Sequence, residues 1–263
     1  MCNRTKTMDK WCQQFIDNYA GEPIQVLNLC CGLDARCHRV RRNPHTVRWI
    51  DVDIPAVVNL RERVMISGSG DYSLRNLSIT TDGWFRDIPA DRRTMIICEN
   101  FLYYVDAVKV QNMIRDLVNY FGAGQFVFDT AGSLTAKYRP EHSKKLSLQT
   151  RWTIDDVRGI ETYHPKLKLT GRVRWQEYMG NDGPMGQNLP PVFGPWTTAL
   201  LSLKNSTAFK DVLQAVRFDF GERATSASSS EFTRGSFDDD NESKFSGAVA
   251  LTPTQSKTVF YEG

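Results

Sequence analysis

Residues 24–36, Ile-Gln-Val-Leu-Asn-Leu-Cys-Cys-Gly-Leu-Asp-Ala-Arg, decide the fold of this 263-residue chain. The stretch begins with an apolar run, which predicts a buried strand of a parallel sheet over 24–29. The strand ends in three small residues, Cys30, Cys31 and Gly32. Open α/β sheets bind ligands at the carboxyl ends of their strands, and a residue without a Cβ lets a ligand approach the main chain. The stretch therefore predicts a ligand site around Gly32.

A second strand is predicted over 47–52, and acidic residues, Asp51 and Asp53, lie at its end. In α/β nucleotide sites an acid at this position binds the ribose, because a carboxylate accepts hydrogen bonds from two vicinal hydroxyls. Gly32 stands alone where the dinucleotide motif G-x-G-x-x-G would need further glycines. The sequence therefore favours a nucleoside ligand without a diphosphate over NAD.

Helices and short apolar strands alternate along the chain, which predicts a parallel, doubly wound α/β sheet. The apolar spacing indicates which segments take each form. Besides the two strands above, the pattern predicts helices over 8–19, 106–121 and 207–216, and strands over 74–80, 95–98, 125–129, 167–178 and 216–220.

The second half of the chain differs from the first in composition. Residues 132–165 are mixed and polar, and we expect residues 132–222 to form a lid and substrate-binding elements. Residues 223–248 are rich in Ser, Asp, Arg and Gly and contain few apolar residues, which predicts a mobile segment. We therefore expect one domain over 1–263, with its cofactor-binding half over 1–131.

Composition argues against several classes of protein. A net charge of +3 is too small to indicate a nucleic-acid partner. The sequence shows neither a signal peptide nor an apolar run that could span a membrane. The six cysteines have no zinc-site spacing, so we expect no metal and a reducing, cytoplasmic location. The basic cluster of Arg36, Arg39, Arg41 and Arg42 is interpreted as a solvated face rather than a phosphate site.

Three motifs, in this order along the chain, resemble those of the leucine carboxyl methyltransferase and polyketide O-methyltransferase family. LNLCCGLDAR (27–36) resembles the family's L-x-L-G-x-G-L-D-T-R, DVDIPAVVNLR (51–61) resembles D-V-D-x-P-x-V-x-x-L-R, and ENFLYYV (99–105) resembles E-G-x-L-x-Y-L. Asp129 falls where the family has Asp in F-D. The resemblance covers residues 4–131.

This resemblance implies a class I S-adenosylmethionine-dependent methyltransferase. Its fold would be a Rossmann-like, doubly wound, mostly parallel seven-stranded sheet whose last strand runs antiparallel, with a lid insertion after the fifth strand. The family motifs also imply which residues bind the cofactor. They place Gly32 against its methionine part, Asp53 on the ribose with Asp51 as the rival, Glu99 near its amino-acid end, Arg4 on its carboxylate, and Ser78 and Ile79 beside the adenine.

Three residues depart from the family motifs. Cys30 and Asn100 replace glycines, and Ala35 replaces a threonine. A side chain at Cys30 narrows the approach to the loop, so we expect it to lower the affinity for the cofactor.

The expected activity is O-methylation of a hydroxyl or carboxylate of a small molecule in secondary metabolism. A carboxylate acceptor needs no base at neutral pH, whereas a phenol gains from one. Tyr104, His142 and His164 are the candidate bases. Two alternatives stay open: methyl esterification of a protein or peptide carboxyl terminus, and a catalytically inactive, methyltransferase-like partner protein.

Overall fold

Seven strands form one sheet in the part of the chain that the computed structural model describes, namely residues 2–137, 149–174 and 211–221. The strand order across the sheet is β3-β2-β1-β4-β5-β7-β6. The strands are β1 (Ile24–Leu29), β2 (Val47–Asp53), β3 (Tyr72–Asn76), β4 (Arg93–Cys98), β5 (Gly124–Ala131), β6 (Lys168–Arg174) and β7 (Leu213–Phe220).

Parallel pairing brings the carboxyl ends of the central strands to one edge of the sheet. Leu29 at the end of β1 pairs with Val52 of β2 on one side and with Cys98 of β4 on the other. Only β7 runs against its neighbours among the described strands, since it pairs antiparallel with both β5 and β6. The predicted seven-stranded, mostly parallel sheet with one antiparallel strand is confirmed.

Helices cover both faces of the sheet and bury its apolar side chains. The helices are α1 (Cys2–Asn18), α2 (Arg36–Arg39), α3 (Pro55–Val64), α4 (Ala107–Phe121) and α5 (Ser133–Lys137), and short 3₁₀ turns cover Trp84–Asp87, Leu102–Tyr104 and Val157–Tyr163. One core lies under α1 around Phe15 and Trp49, and the other lies under α4 around Leu117 and Phe126. Asp106 caps α4 by accepting a hydrogen bond from the N–H of Val108.

Some predicted boundaries were wrong. Helix α1 begins at Cys2, so Arg4 lies inside the helix and does not precede it. Strand β3 ends at Asn76, earlier than the predicted 74–80, and Leu213–Phe220 is a strand where a helix over 207–216 was predicted. The physical reason in the last case is that β7 pairs along the whole length of β5, and this pairing overrides the local helical spacing.

The predicted lid and substrate region contributes β6 and β7 to the sheet. Its residues 138–148 and 175–210 lie outside the described residues, as does the predicted mobile segment over 223–248. The lid and the division of the chain into halves stay predictions. None of the described helices is long and apolar enough to cross a membrane.

Candidate functional site

A cavity of about 170 Å³ opens where β1 and β4 end, at the carboxyl edge of the sheet. Ligand pockets for drug-sized molecules measure roughly 300–1,000 Å³, so this cavity suits a part of a ligand, such as an amino-acid group. Its lining includes charged, polar and apolar side chains, and comes from α1, from the end of β1 and the loop after it, from α2 and from the residues that follow β4. The lining residues are Arg4, Thr5, Asn28, Leu29, Cys30, Cys31, Asp34, Arg36, Glu99 and Asn100.

Gly32 gives the loop after β1 an open face. Its φ is +50°, a left-handed conformation that glycine adopts without strain. A Cβ built at Gly32 would meet no other atom within 4 Å, so the space beside the main chain is free. A ligand can therefore approach the backbone here, as the sequence predicted for this kind of loop.

Asp53 ties this loop to the tip of β2. Its Oδ2 accepts a hydrogen bond of 2.8 Å from the N–H of Gly32, and its Oδ1 accepts one of 2.8 Å from the N–H of Ile54. A carboxylate has about four lone-pair sites, so each oxygen keeps capacity for a further donor. Asp53 can thus accept hydrogen bonds from a ligand while it holds the loop.

Asp51 differs from Asp53, because protein donors already surround its carboxylate. The side chain is fully buried. It accepts hydrogen bonds from Asn28 Nδ2 at 3.0 Å, Trp49 Nε1 at 2.9 Å, Arg61 Nη2 at 2.7 Å and Tyr72 Oη at 2.9 Å. Four donors fill its lone-pair sites, so Asp51 has no capacity left for a ligand, whereas Asp53 does.

Arg61 is a residue of this site that the sequence reasoning missed. Its Nη1 donates to the carbonyls of Gly32 at 2.9 Å and Asp34 at 2.7 Å, while its Nη2 pairs with Asp51. The side chain is buried and fixes the loop after β1 against α3. A signal was present, since Arg61 is the last residue of the DVDIPAVVNLR motif.

The interpretation of the basic cluster as a solvated face is wrong for Arg36. This guanidinium is 1% exposed and lines the cavity. It forms ion pairs with Asp9 at 2.6 Å, Asp34 at 3.0 Å and Glu99 at 2.6 Å. Three carboxylates from separate segments offset the cost of burying the charge, and a local sequence pattern does not show that compensation.

Glu99 lies among donors from α1 and α2. Its Oε1 accepts hydrogen bonds from Arg4 Nε at 3.0 Å and from Thr5 Oγ1 at 2.8 Å, while Arg36 pairs with Oε2. Burial alone would raise the pKa of Glu99, but Arg36, the Thr5 hydroxyl and Arg4 together lower it below its ordinary value. Glu99 is therefore ionised at neutral pH.

Two residues that replace family glycines, Cys30 and Asn100, have left-handed backbones. Their φ angles are +50° and +62°, and among the described non-glycine residues only these two have positive φ. Both line the cavity. The main chain thus keeps a glycine-like path at both positions, at a cost of roughly 1–2 kcal/mol for an ordinary L-residue and less for asparagine.

Of the predicted cofactor-binding residues, Arg4 and Glu99 line the cavity, whereas Gly32, Asp51, Asp53, Ser78 and Ile79 do not. Ile79 is buried in the core, and the neighbouring Ser78 bonds to the hydroxyl of Thr80 at 2.9 Å. Tyr104 packs against Tyr103, with ring centroids 4.5 Å apart, and neither ring lines the cavity.

Of the two candidate histidines only His164 belongs to the described residues, and it lies away from the cavity. His164 Nε2 lies 2.9 Å from Oδ1 of Asn119, which is close to the end of α4. Since α4 starts after β4 and returns to the beginning of β5, its end lies at the opposite edge of the sheet from the cavity. His142 lies outside the described residues.

Two exposed apolar side chains flank the polar site. Leu33, next to Gly32, is 53% exposed, and Ile54, next to Asp53, is 45% exposed. The sequence reasoning did not single them out. Both lie next in sequence to loop residues of the site, so apolar surface is exposed near Gly32 and Asp53.

Comparison with known proteins agrees with the motifs. Residues 1–118 match the family model of leucine carboxyl methyltransferase. The chain is 30% identical over 188 residues to the S-adenosyl-L-methionine-dependent methyltransferase dpfgK of Gibberella zeae. This alignment covers 66% of this chain and 62% of that protein. It is also 30% identical over 169 residues to the tetracenomycin polyketide synthesis O-methyltransferase TcmP of Streptomyces glaucescens, covering 63% and 61% respectively. The predicted resemblance to this family is confirmed, and the chain spans about three fifths of the length of these two relatives.

Solved structures show the same fold at low sequence identity. A protein of the duf574 family from Streptomyces avermitilis aligns with a TM-score of 0.56 and 11% identity, over 83% of this chain and 82% of that one. The plantazolicin methyltransferase BpumL, solved in complex with SAH, aligns with a TM-score of 0.51 and 9% identity over 84% of each chain. These likenesses confirm the Rossmann-like sheet.

Proposed function

We propose that this protein is an S-adenosylmethionine-dependent methyltransferase that methylates a hydroxyl or carboxylate oxygen of a small molecule in secondary metabolism. The observation that carries the proposal is the convergence of Gly32, Asp53 and Glu99. They lie at or directly after the ends of three neighbouring parallel strands. Glu99 lines the cavity, Gly32 follows the lining residue Cys31, and Asp53 accepts a hydrogen bond from the N–H of Gly32. Two relatives support the proposal, since one is named as an S-adenosyl-L-methionine-dependent methyltransferase and the other as a polyketide synthesis O-methyltransferase.

The residues around the cavity fit this cofactor. Asp53 keeps lone pairs for ribose hydroxyls, and Gly32 leaves space for a close approach. Glu99 offers a carboxylate to an ammonium group. Arg4 uses Nε and Nη1 on acidic partners, yet a guanidinium has five N–H donors, so donors remain for a carboxylate. Ile54 supplies apolar surface for the adenine.

The cofactor would supply an electrophilic methyl group on a sulfonium. The chain must then hold an acceptor oxygen in line with that methyl group and exclude water, and such positioning can supply several kcal/mol of the acceleration. Burial raises the pKa of the Tyr103 hydroxyl, which also donates a hydrogen bond to Asn100, so Tyr103 is a poor base at neutral pH. A carboxylate acceptor needs no base, and a hydroxyl can be activated by positioning, so both acceptors are compatible with the described residues.

We place the protein in the cytoplasm and expect a small-molecule acceptor as its partner. Five of the described cysteines are free thiols, which suits a reducing compartment: Cys12, Cys30, Cys31, Cys37 and Cys98. The acceptor class follows from the relatives, one of which is named for polyketide synthesis.

A methyl-transfer assay tests the proposal. The purified protein would be incubated with S-adenosylmethionine and three acceptor sets, namely phenols, aromatic and aliphatic carboxylic acids, and peptides with free carboxyl termini. Products would be identified by mass spectrometry. We expect methylation in the first or second set, loss of it in Asp53→Asn, and retention in the matched control Asp219→Asn, whose carboxylate lies at the other end of the sheet.

Two outcomes would contradict the proposal. Methylation confined to the peptides would show a carboxyl-terminal methyltransferase. Failure of the wild-type protein to bind S-adenosylmethionine would show an inactive, methyltransferase-like protein.

A further inference from the structure

Asp129 follows the apolar residues 126–128 of β5 and contacts two residues that line the cavity. The function proposed above assigns it no role. The side chain is 1% exposed. Its Oδ2 accepts a hydrogen bond of 2.9 Å from Arg4 Nη1, and its Oδ1 accepts one of 2.6 Å from the N–H of Asn100. Arg4 and Asn100 both line the cavity, whereas Asp129 does not. The carboxylate thus holds two lining residues from behind.

We propose that Asp129 is a positioning residue whose ionised carboxylate holds Arg4 and the left-handed Asn100 in the arrangement that binds the amino-acid end of the cofactor. This inference rests on the proposed function. It adds a residue and a charge state on which cofactor affinity depends.

The first part of the reasoning concerns Arg4. An arginine side chain loses considerable rotamer entropy when it is fixed, so a single partner leaves its guanidinium free to swing. Glu99 binds Nε and Asp129 binds Nη1, at 3.0 and 2.9 Å. Two carboxylates on different nitrogens fix the plane of the guanidinium. Nη1 also lies 3.4 Å from the side-chain oxygen of Asn100, so the N–H groups of Nη2 remain for a ligand carboxylate in a fixed orientation.

The second part concerns Asn100. Its left-handed backbone is costly for a residue with a Cβ. The charge-assisted hydrogen bond from its N–H to Asp129 stabilises that conformation, because bonds to an ionised acceptor are about twice as strong as neutral ones. The side-chain oxygen Oδ1 of Asn100 also accepts a hydrogen bond from the hydroxyl of Tyr103, so both the main chain and the side chain of Asn100 are held.

The surroundings of Asp129 make its charge sensitive to pH. The groups that face it are Arg4 from α1, Cys98 and Glu99 from β4, and Tyr103 from the following 3₁₀ turn, while β7 offers an uncharged alanine. Burial raises the pKa of Asp129 to about 6, although Arg4 and the Asn100 N–H act in the opposite direction.

The neighbouring groups keep their charge state in the range where Asp129 titrates. The pKa of Glu99 is lowered and those of Tyr103 and Cys98 are raised, so none of them changes its charge near pH 6. A change in cofactor affinity between about pH 5 and pH 7 would therefore report on Asp129.

The first test is the affinity for S-adenosylmethionine as a function of pH, measured by calorimetric titration. If only the ionised form binds, wild-type affinity falls about tenfold between pH 7 and pH 5. Asp129→Asn has a similar volume but no charge, so we expect weaker binding at pH 7 and no change between these pH values. Asp219→Asn should follow the wild-type curve. A wild-type pH dependence that persists in Asp129→Asn, or unchanged affinity in that variant, would overturn the inference.

The second test needs no cofactor and separates this inference from the proposed function. The carboxyl carbon of Asp129 would be titrated by NMR in the full chain and in Arg4→Met. We expect a pKa near 6 in the wild type and a higher one in Arg4→Met, because that variant removes the cation that lowers it. An ordinary aspartate pKa, or one insensitive to Arg4→Met, would overturn the inference. Absence of cofactor binding at every pH would instead refute the proposed function.

Discussion

Substitution of Cys30 by glycine and by alanine measures the cost of a side chain at the left-handed turn beside the cavity. A variant with glycine normally has a free energy of unfolding about 0.5–1 kcal/mol lower than the variant with alanine, because glycine gives the unfolded chain more conformational entropy. At Cys30 the backbone φ is +50°, and a Cβ in that conformation costs roughly 1–2 kcal/mol. The usual order of the two variants should therefore reverse at this position.

The expected magnitude follows from the difference between the two variants. Both substitutions remove the sulfur atom and its partial packing against the core, so that loss cancels in the comparison. Removal of the Cβ relieves about 1–2 kcal/mol of strain in the folded state of Cys30→Gly. The greater entropy of glycine stabilises the unfolded state of this variant by about 0.5–1 kcal/mol and so offsets part of that gain. We expect Cys30→Gly to exceed Cys30→Ala in free energy of unfolding by about 0.5–1 kcal/mol.

Urea unfolding of both variants measures this difference directly, provided that the free energy of unfolding falls with urea concentration at the same slope in both. Because Cys30 lines the cavity, calorimetric titration should also show a higher affinity for S-adenosylmethionine in Cys30→Gly than in the wild type. The pair Asn100→Gly and Asn100→Ala serves as a matched comparison at the second left-handed residue. If Cys30→Ala proves as stable as Cys30→Gly or more stable, the backbone at residue 30 is not strained and the reasoning fails.

Three further predictions follow from buried charges and from the position of one histidine. Arg61→Met leaves the fully buried carboxylate of Asp51 without its cation. We therefore expect the free energy of unfolding, measured in urea, to drop by about 3–5 kcal/mol. A drop below about 1 kcal/mol would contradict the described ion pair. His164→Gln should leave methyl transfer unchanged, since the ring lies beside α4 at the far edge of the sheet, and a large loss of kcat would place it in the reaction instead. The folded-state pKa of Asp129, about 6, exceeds the ordinary aspartate value, so the folded state binds the proton more tightly than the unfolded one. Stability of the cofactor-free protein should therefore fall by up to about 3 kcal/mol as pH rises from 4 to 6, and a urea series in which Asp129→Asn shows the same fall would exclude this carboxyl as its source.

The sequence predicted the sheet well, because buried parallel strands and amphipathic helices carry their information locally. The run over 24–29 is apolar at four of its six positions, and the structure buries all six residues. The failure over 207–216 has the opposite cause. Residues 213–216 form a strand because they pair with β5, more than eighty residues earlier in the chain, and local spacing does not show such pairing.

The sequence predicted those site residues that a motif places at the end of a strand. It did not predict the role of a side chain where that role depends on its hydrogen-bond partners in the folded chain. Asp51 and Asp53 have similar sequence positions. They differ because Trp49, Tyr72 and Arg61 surround only Asp51 with donors.

Arg36 shows the same limit for a cation. An arginine in a basic run is usually solvated, and this one is buried because acids from α1, from the loop after β1 and from the end of β4 converge on it. Such convergence is a property of the folded chain, and no window of the sequence contains it.

The most direct test of the central claim is a calorimetric titration of the purified protein with S-adenosylmethionine and S-adenosylhomocysteine, with Asp53→Asn and Asp219→Asn alongside. A ribose held by Asp53 predicts binding in the micromolar range, about −8 kcal/mol, that is retained in Asp219→Asn and weakened at least tenfold in Asp53→Asn. No heat of binding in the wild-type protein, or equal affinities in the wild type and Asp53→Asn, would contradict the assignment of this edge of the sheet as the cofactor site.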